Sequence, residues 1–230
     1  MPNVLVTGSN RGIGLEWCRQ YAEAGWRVFA TCRFPDAAHD LVELAARRPQ
    51  VSLHYLNVVL PESLEQLRAE LQDEAIDVLV NNAGVYFEKN VRPERLDYDT
   101  WMQTLEVNTF GPMRVAEALI EQVARSERRL ILNMSSHMGS IAGIEVPGDY
   151  YYRTSKAALN AAMRGLSLGL KERGIGVLLL HPGWVQTRMG GPGAPVAAAD
   201  SVAGMRSLAE RFGMEMSGRF FRYDGSEIPW

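Results

Sequence analysis

Cysteine is scarce in this chain: Cys18 and Cys32 are the only two among 230 residues. Both sit in apolar surroundings without a repeated spacing. A disulfide framework is therefore excluded, and two buried free thiols are expected, as in a reducing compartment. Histidine is sparse and scattered (His39, His54, His137 and His181), with no spacing that builds a zinc site, so no metal is expected. An excess of one charge is also missing. A formal net charge of -3 gives no general attraction to phosphate backbones or anionic membranes. No apolar run approaches the ~20 residues that span a bilayer, and the N-terminus lacks a basic stretch followed by an apolar one. A cytoplasmic protein without nucleic-acid or membrane partners is expected.

What the chain does contain is an alternation of short apolar runs with longer helical stretches. Asn3–Thr7, Arg27–Thr31, Val51–Leu56, Asp77–Val80, Arg129–Met134 and Ile175–Leu180 read as strands, with a last one near Arg219–Arg222. They are near-continuously apolar, as strands covered on both faces of a parallel sheet must be. Helices are expected near Gly12–Ala24, Asp36–Arg47, Pro61–Glu74, Tyr98–Arg125, Asp149–Arg173 and Ala197–Phe212. Pro61 followed by Glu62 suits the opening turn of the third. This order predicts an α/β fold over residues 1–230. It is a single-domain Rossmann fold, with a doubly wound, mostly parallel sheet of about seven strands and helices on both faces. GGPGAP at 190–195 is the one strongly broken stretch and reads as a mobile loop. Ligands of such sheets bind beyond the carboxyl ends of the strands, so the informative residues should follow each strand.

The first strand runs into Thr7-Gly8-Ser9-Asn10-Arg11-Gly12-Ile13-Gly14 and then a helix. Glycine at Gly8, Gly12 and Gly14 lets the backbone turn tightly and approach a pyrophosphate, whose charge the helix N-terminus holds. Asn10, Arg11 and Ile13, between the glycines, complete the candidate cradle. The second strand ends in Thr31-Cys32-Arg33. Folds that prefer NAD(H) place a carboxylate about 20 residues past the glycines, against the ribose 2′-hydroxyl. Cys32 fills that slot, and Arg33 follows it with a guanidinium suited to a 2′-phosphate. With Arg11 as a second cation, NADP(H) is expected over NAD(H).

Five signals in order, TGSNRGIG at 7–14, NNAG at 81–84, NMSS at 133–136, Tyr152-x-x-x-Lys156 and PGWVQT at 182–187, cover nearly the whole chain. Together they resemble the short-chain dehydrogenase/reductase family. YRTSKAALN at 152–160, HPGWVQTRMGG at 181–191 and the ending RYDGSEIPW resemble its branch of sniffer-type carbonyl reductases and the bacterial C-factor. The resemblance implies that Gly8, Gly12 and Gly14 hold the pyrophosphate. It implies that Asn81, Ala83 and Gly84 stabilise the central strand edge near the adenosine ribose, and that Asn57 and Val58 border the adenine. Asn57 departs from the family's usual aspartate, but its amide oxygen still accepts a hydrogen bond from the adenine amino group. Pro182, Gly183, Val185 and Thr187 would contact the nicotinamide end and the phosphates.

Hydride transfer to a carbonyl carbon needs a proton donor and a hydrogen-bond donor at the carbonyl oxygen. Tyr150, Tyr151 and Tyr152 compete for the first role. At roughly 100° per helical residue, Lys156 lies about 40° from Tyr152 but about 140° from Tyr151, so Tyr152 shares its face. The neighbouring ammonium, with an oxidised nicotinamide, is expected to lower the phenol's pKa, and Lys156 would also hold the nicotinamide ribose. Ser135 and Ser136 alternate in direction at a strand end. Family position assigns Ser136 to the substrate oxygen and Ser135 to a structural bond. An interior helical asparagine is mildly unfavourable; the resemblance gives Asn108 the task of holding a water that links Lys156 to solvent.

Met138, Trp184 and Met189, with Ile141, Ile144 and Val146, are candidates for an apolar substrate lining. Neither Arg153 nor Arg188 reads as a carboxylate clamp, so the expected partner is a neutral small-molecule carbonyl or alcohol. Wide apolar faces on Tyr98–Arg125 and Asp149–Arg173 point to a homodimer or homotetramer. A cofactor-binding regulatory or signalling protein of C-factor type is the alternative to an enzyme. A sugar-nucleotide epimerase is disfavoured, because the chain lacks a C-terminal substrate domain.

Overall fold

The computed structural model describes residues 1–88 and 91–230. Seven strands, β1 (Asn3–Thr7), β2 (Arg27–Cys32), β3 (Val51–Tyr55), β4 (Val78–Asn81), β5 (Leu130–Met134), β6 (Gly176–His181) and β7 (Phe220–Arg222), form one sheet. Their order across it is β3-β2-β1-β4-β5-β6-β7, and every neighbouring pair is parallel. The sheet is wholly parallel, where the sequence suggested mostly so. The chain winds outward from β1 to β3 and returns to β4 beside β1. That reversal opens a crevice at the carboxyl ends of β1 and β4.

Seven α-helices cover the faces: α1 (Gly12–Glu23), α2 (His39–Arg47), α3 (Pro61–Glu70), α4 (Tyr98–Leu105), α5 (Gly111–Ala124), α6 (Tyr150–Gly169) and α7 (Ala198–Glu210). The apolar strand runs divide between two cores because successive residues point opposite ways. Val4, Val6, Val78, Val80, Leu130, Leu132, Leu178 and Leu180 pack with Trp17, Cys18 and Tyr21 of α1 and with Met205 and Leu208 of α7. Leu5, Leu79, Ile131, Val177 and Leu179 face the other way, onto Leu64 and Leu67 of α3, Leu119 and Val123 of α5, and Leu159 and Met163 of α6. Cys18 and Cys32 are both free and buried.

Local chemistry explains the starts of α3 and α4. Pro61 occupies the first turn of α3 with Glu62 beside it, where a missing N–H costs nothing and a carboxylate suits the positive end. The Asp97 carboxylate accepts hydrogen bonds from the amides of Asp99 and Thr100, both at 3.1 Å, and caps α4. The expected helix over Tyr98–Arg125 is broken, however. Between α4 and α5 the chain widens into a π turn at Glu106–Phe110. Pro112, in the first turn of α5, has no N–H to offer the carbonyl of Asn108 four residues back, so a regular ladder cannot run through. A side chain at Gly111 would also meet Val58, whose Cγ2 lies 2.8 Å from where a Cβ would sit. The expected helix at Asp36–Arg47 likewise begins as a separate 3-10 turn at Pro35–Ala37.

The outer faces of α4, α6 and the π turn leave Tyr98, Met102, Phe110 and Leu168 exposed. Among the described residues no helix is long and apolar enough to cross a membrane.

Leu119 is fully buried in the second core, whereas Val42 on α2 is 41% exposed. Leu119→Ala should destabilise the protein by about 2–5 kcal/mol in urea denaturation, and Val42→Ala by less than about 0.5 kcal/mol. Equal losses would contradict the packing described.

Candidate active site

The glycine loop joins β1 to α1 under close packing. Gly8 has a left-handed backbone, φ 69°, and a Cβ there would lie 2.9 Å from the Cα of Ala83. At Gly14 a Cβ would sit 2.2 Å from the Gly8 carbonyl oxygen and 2.5 Å from Nδ2 of Asn82. The turn therefore excludes any side chain at these positions, and the backbone lies open at the crevice where α1 begins. Asn10, Gly12 and Ile13 are half-buried and Arg11 is exposed.

Four residues of the NNAG stretch divide the work differently from expectation. Asn81 is buried, and its amide donates to Oδ1 of Asn133 at 2.9 Å and to the Pro112 carbonyl at 3.3 Å. Its side chain thus braces β4 against β5 within the sheet. The side chain reaching the glycine loop belongs to Asn82, which donates to the carbonyls of Thr7 at 2.9 Å and Gly8 at 3.2 Å. Sequence reasoning missed Asn82; the doubled asparagine was its only signal. Ala83 packs on Gly8, and Gly84 lies against Asn108 and Lys156. Val58 is buried in the second core, whereas Asn57 is half-buried, its Oδ1 accepting from the Val59 amide at 3.4 Å. The Asn57 amide itself donates to the Ser63 hydroxyl at 2.7 Å.

At the end of β5 the structure brings Ser136, Tyr152 and Lys156 together. The Lys156 ammonium lies 5.7 Å from the centre of the Tyr152 ring and donates to the Met134 carbonyl at 2.8 Å. Tyr151 takes the opposite face: it is buried, and its hydroxyl accepts from the Asp97 amide at 2.6 Å. Ser135 donates to Asn160 Oδ1 at 2.6 Å, and Asn160 donates to the Gly139 carbonyl at 3.2 Å. These bonds tie α6 to the turn after β5, where a Cβ on Gly139 would lie 2.9 Å from the Cβ of Lys156. The ring of Tyr86, also missed from sequence, meets that of Tyr152 edge-on at 5.1 Å.

Asn108 is buried in the π turn. Its Oδ1 accepts from the Val85 amide at 2.8 Å, and its Nδ2 donates to the Val85 carbonyl at 2.9 Å and to Ser155 Oγ at 3.0 Å. Both amide N–H groups and the amide oxygen bond protein groups, so the side chain stitches the π turn to the segment after β4 and to α6.

Burial sets the titration of the central pair. It pushes the Tyr152 phenol up to about 12, with the Ser136 hydroxyl acting in the opposite direction. The same loss of solvent lowers Lys156 to about 8. Within the chain alone the phenol is therefore raised by burial, and the Ser136 hydroxyl is what acts to lower it.

The stretch after β6 closes the other side. A Cβ on Gly12 would meet the Thr187 methyl at 3.3 Å, and one on Gly183 would meet the Tyr223 ring at 2.9 Å. The Pro182 carbonyl accepts from Ser201 Oγ at 2.6 Å, and Val185 is buried. The expected mobile GGPGAP loop is instead tied down. Val185 pairs with Val196, the Trp184 indole donates to the Gly190 carbonyl at 2.7 Å, and Gln186 Nε2 donates to the Ala194 carbonyl at 3.0 Å. Trp184 and Met189 stand 59% and 54% exposed, and Met138 is half-buried. Arg188 joins a cluster of cations: burial, then Arg188, then Arg33 hold the Arg11 guanidinium below its ordinary range. Among the described residues none of the three is in an ion pair, and no group of three or more His, Cys, Asp or Glu could hold a metal ion.

The family described as short chain dehydrogenase matches residues 2–195. The C-signal of Myxococcus xanthus is 44% identical over 155 residues, 67% of this chain and 93% of that protein. Among solved structures, the carbonyl reductase Sniffer of D. melanogaster superposes with a TM-score of 0.93 at 33% identity, covering 100% of both chains. The NADPH-bound carbonyl reductase from chicken fatty liver gives a TM-score of 0.93 at 32% identity, over 100% of this chain and 99% of that one. This chain belongs to the short-chain dehydrogenase family.

Proposed function

We propose that this protein reduces a neutral carbonyl compound with NADPH, Tyr152 donating the proton. The observation that carries the reading is the meeting of Tyr152, Lys156 and Ser136 at the strand ends, across the crevice from an open glycine loop. The carbonyl reductases named above have the same fold, and the chicken protein carries NADPH. The residues present fit such a cofactor. Gly8 and Gly14 leave no side chain between the backbone and a pyrophosphate, which the N-terminus of α1 would hold with Asn10, Arg11, Gly12 and Ile13. Arg188 and Arg33 each repel Arg11, and a 2′-phosphate would relieve that repulsion. Thr187, packed on Gly12, and the adjoining Pro182, Gly183 and Val185 would line the nicotinamide end.

Bound there, the cofactor supplies the hydride. The chain's own task is the proton. Burial keeps the Tyr152 phenol protonated, which is the form that donates to a carbonyl oxygen. Ser136 offers that oxygen a second hydrogen bond. The Lys156 ammonium stabilises the phenolate left behind, oriented by the Met134 carbonyl. Trp184, Met189 and Met138 present apolar surface to the substrate, and no carboxylate clamp stands among them. The exposed apolar residues on α4 and α6 support a homo-oligomer, and two buried free thiols go with a cytoplasmic location. A second reading, a cofactor-binding signalling protein, rests on the likeness to the Myxococcus C-signal.

A panel of aldehydes, ketones and quinones with NADPH tests the choice. Turnover should fall by at least ~100-fold in Tyr152→Phe; NADPH binding without any turnover would favour the signalling reading. Arg33→Ala should weaken NADPH binding by roughly 10-fold while leaving NADH nearly unchanged. Equal wild-type affinity for the two would contradict the cofactor assignment. Lys156 is charged below about 8 and neutral above it, while Tyr152 stays protonated to about 12. The rate of carbonyl reduction should therefore fall as pH rises through about 8, and a flat profile across that range would contradict the lysine's role.

A further inference from the structure

The helix that carries Tyr152 is not capped from its own chain end. Asp149, the residue before α6, has a left-handed backbone (φ 53°) and makes no capping hydrogen bond. Its carboxylate accepts the hydroxyl of Tyr86 instead. The first amides of a helix have no intrahelical partner, and here the amide of Tyr152 donates to Oε2 of Glu88 at 2.8 Å. Glu88 is only 4% exposed. A carboxylate so placed gains from the positive end of the helix as well as from the hydrogen bond.

The rest of this first turn is held from the same side. The Tyr151 hydroxyl accepts from the Asp97 amide at 2.6 Å, and the Trp101 indole donates to Thr154 Oγ1 at 2.7 Å. The edge of Tyr86 boxes the Tyr152 ring. The segment leading to Glu88 is itself anchored, since both main-chain groups of Val85 are bonded by Asn108 and Asn82 is bonded to the glycine loop. One stretch thus runs from the phosphate-loop side of the crevice to the amide of the proton donor.

We propose that Glu88 is a positioning residue for Tyr152, setting the height and phase of the first turn of α6 so that the phenol meets Ser136 and Lys156. The inference rests on the reading of Tyr152 as proton donor. With the ring boxed by Tyr86, the hydroxyl goes where the backbone puts it. A displacement of about 1 Å at a reacting group costs on the order of 100-fold in rate. Glu88 touches neither substrate nor cofactor in this role, so its removal should spare binding.

The test uses the full chain with NADPH, p-nitrobenzaldehyde as carbonyl probe, and the variants Glu88→Ala and Glu88→Gln. Glu88→Ala should lower kcat roughly 10- to 100-fold, with KM and the Kd for NADPH within about 2-fold of wild type. Glu88→Gln keeps an acceptor oxygen for the Tyr152 amide and should restore most of kcat. Amide hydrogen exchange over residues 150–154 of the NADPH-bound protein should quicken in Glu88→Ala and recover in Glu88→Gln, with the sheet amides unchanged. Wild-type kcat in Glu88→Ala, equal impairment of both variants, or parallel loss of kcat and NADPH affinity would overturn the proposal. If wild type turns over no probe, the reductase reading fails by itself. The exchange measurement then decides: unaltered protection in Glu88→Ala refutes the positioning role, and its selective loss upholds it.

Discussion

An ammonium taken out of water must be paid for in hydrogen bonds or lose its charge, and Lys156 is 4% exposed with the Met134 carbonyl as its partner. Much of the site's architecture is what brings that lysine so close to a strand end. Gly139 has no side chain because the turn after β5 presses on the lysine backbone. At Gly84 a Cβ would press on Asn108 Oδ1 at 3.3 Å and touch the ammonium at 3.8 Å. Ser135 and Asn160 fix the same contact through polar bonds. The reward is a charge poised to respond: lowered to about 8, the lysine is still largely protonated near neutral pH yet held where a phenolate would attract it.

The π turn is the second half of this arrangement. A regular helix through 106–110 would leave Asn108 on an ordinary ladder. The interruption before Pro112 instead sits where its side chain can hold Val85 and Ser155 at once. Ser155 precedes Lys156, and Val85 follows the glycine-facing NNAG stretch. The buried amide therefore links the segment after β4 to the helix carrying Tyr152 and Lys156. Widened helical turns of this kind recur at functional sites because they re-aim groups that a uniform helix would stack.

The fold was legible because its strands are continuous apolar runs and its first loop is built on glycines, both local signals. Helix ends were less so. Tyr98–Arg125 has helical periodicity throughout, which masks the break at Pro112, and the close approach of Val58 to Gly111 has no local signal. The phase of Tyr152 against Lys156 could be worked out from helix geometry alone, and the structure brings the two together. Their titration could not, because proximity of charges is written in the sequence and burial is not. GGPGAP looked loose for a similar reason. Glycine usually signals freedom, but at Gly190 it answers a clash, a Cβ there falling 2.1 Å from the Val185 carbonyl oxygen. Asn82 and Glu88 were invisible because each bonds a main chain distant in sequence, across 75 and 64 residues respectively.

The two ends of the crevice obey different physics. Arg11, Arg33 and Arg188 are exposed, so their attraction for phosphate is screened by salt and each side chain is replaceable without disturbing a core. Tyr152 and Lys156 are shifted in opposite directions by one cause, loss of solvent, and the lysine is bonded to the end of β5. The cationic rim is thus adjustable, while Lys156 is locked into contacts with the end of β5 that hold the helix to the sheet. That asymmetry explains why the rim is written in isolated arginines and the chemistry in a network. The network is what makes a distant carboxylate such as Glu88 able to matter to the phenol at all.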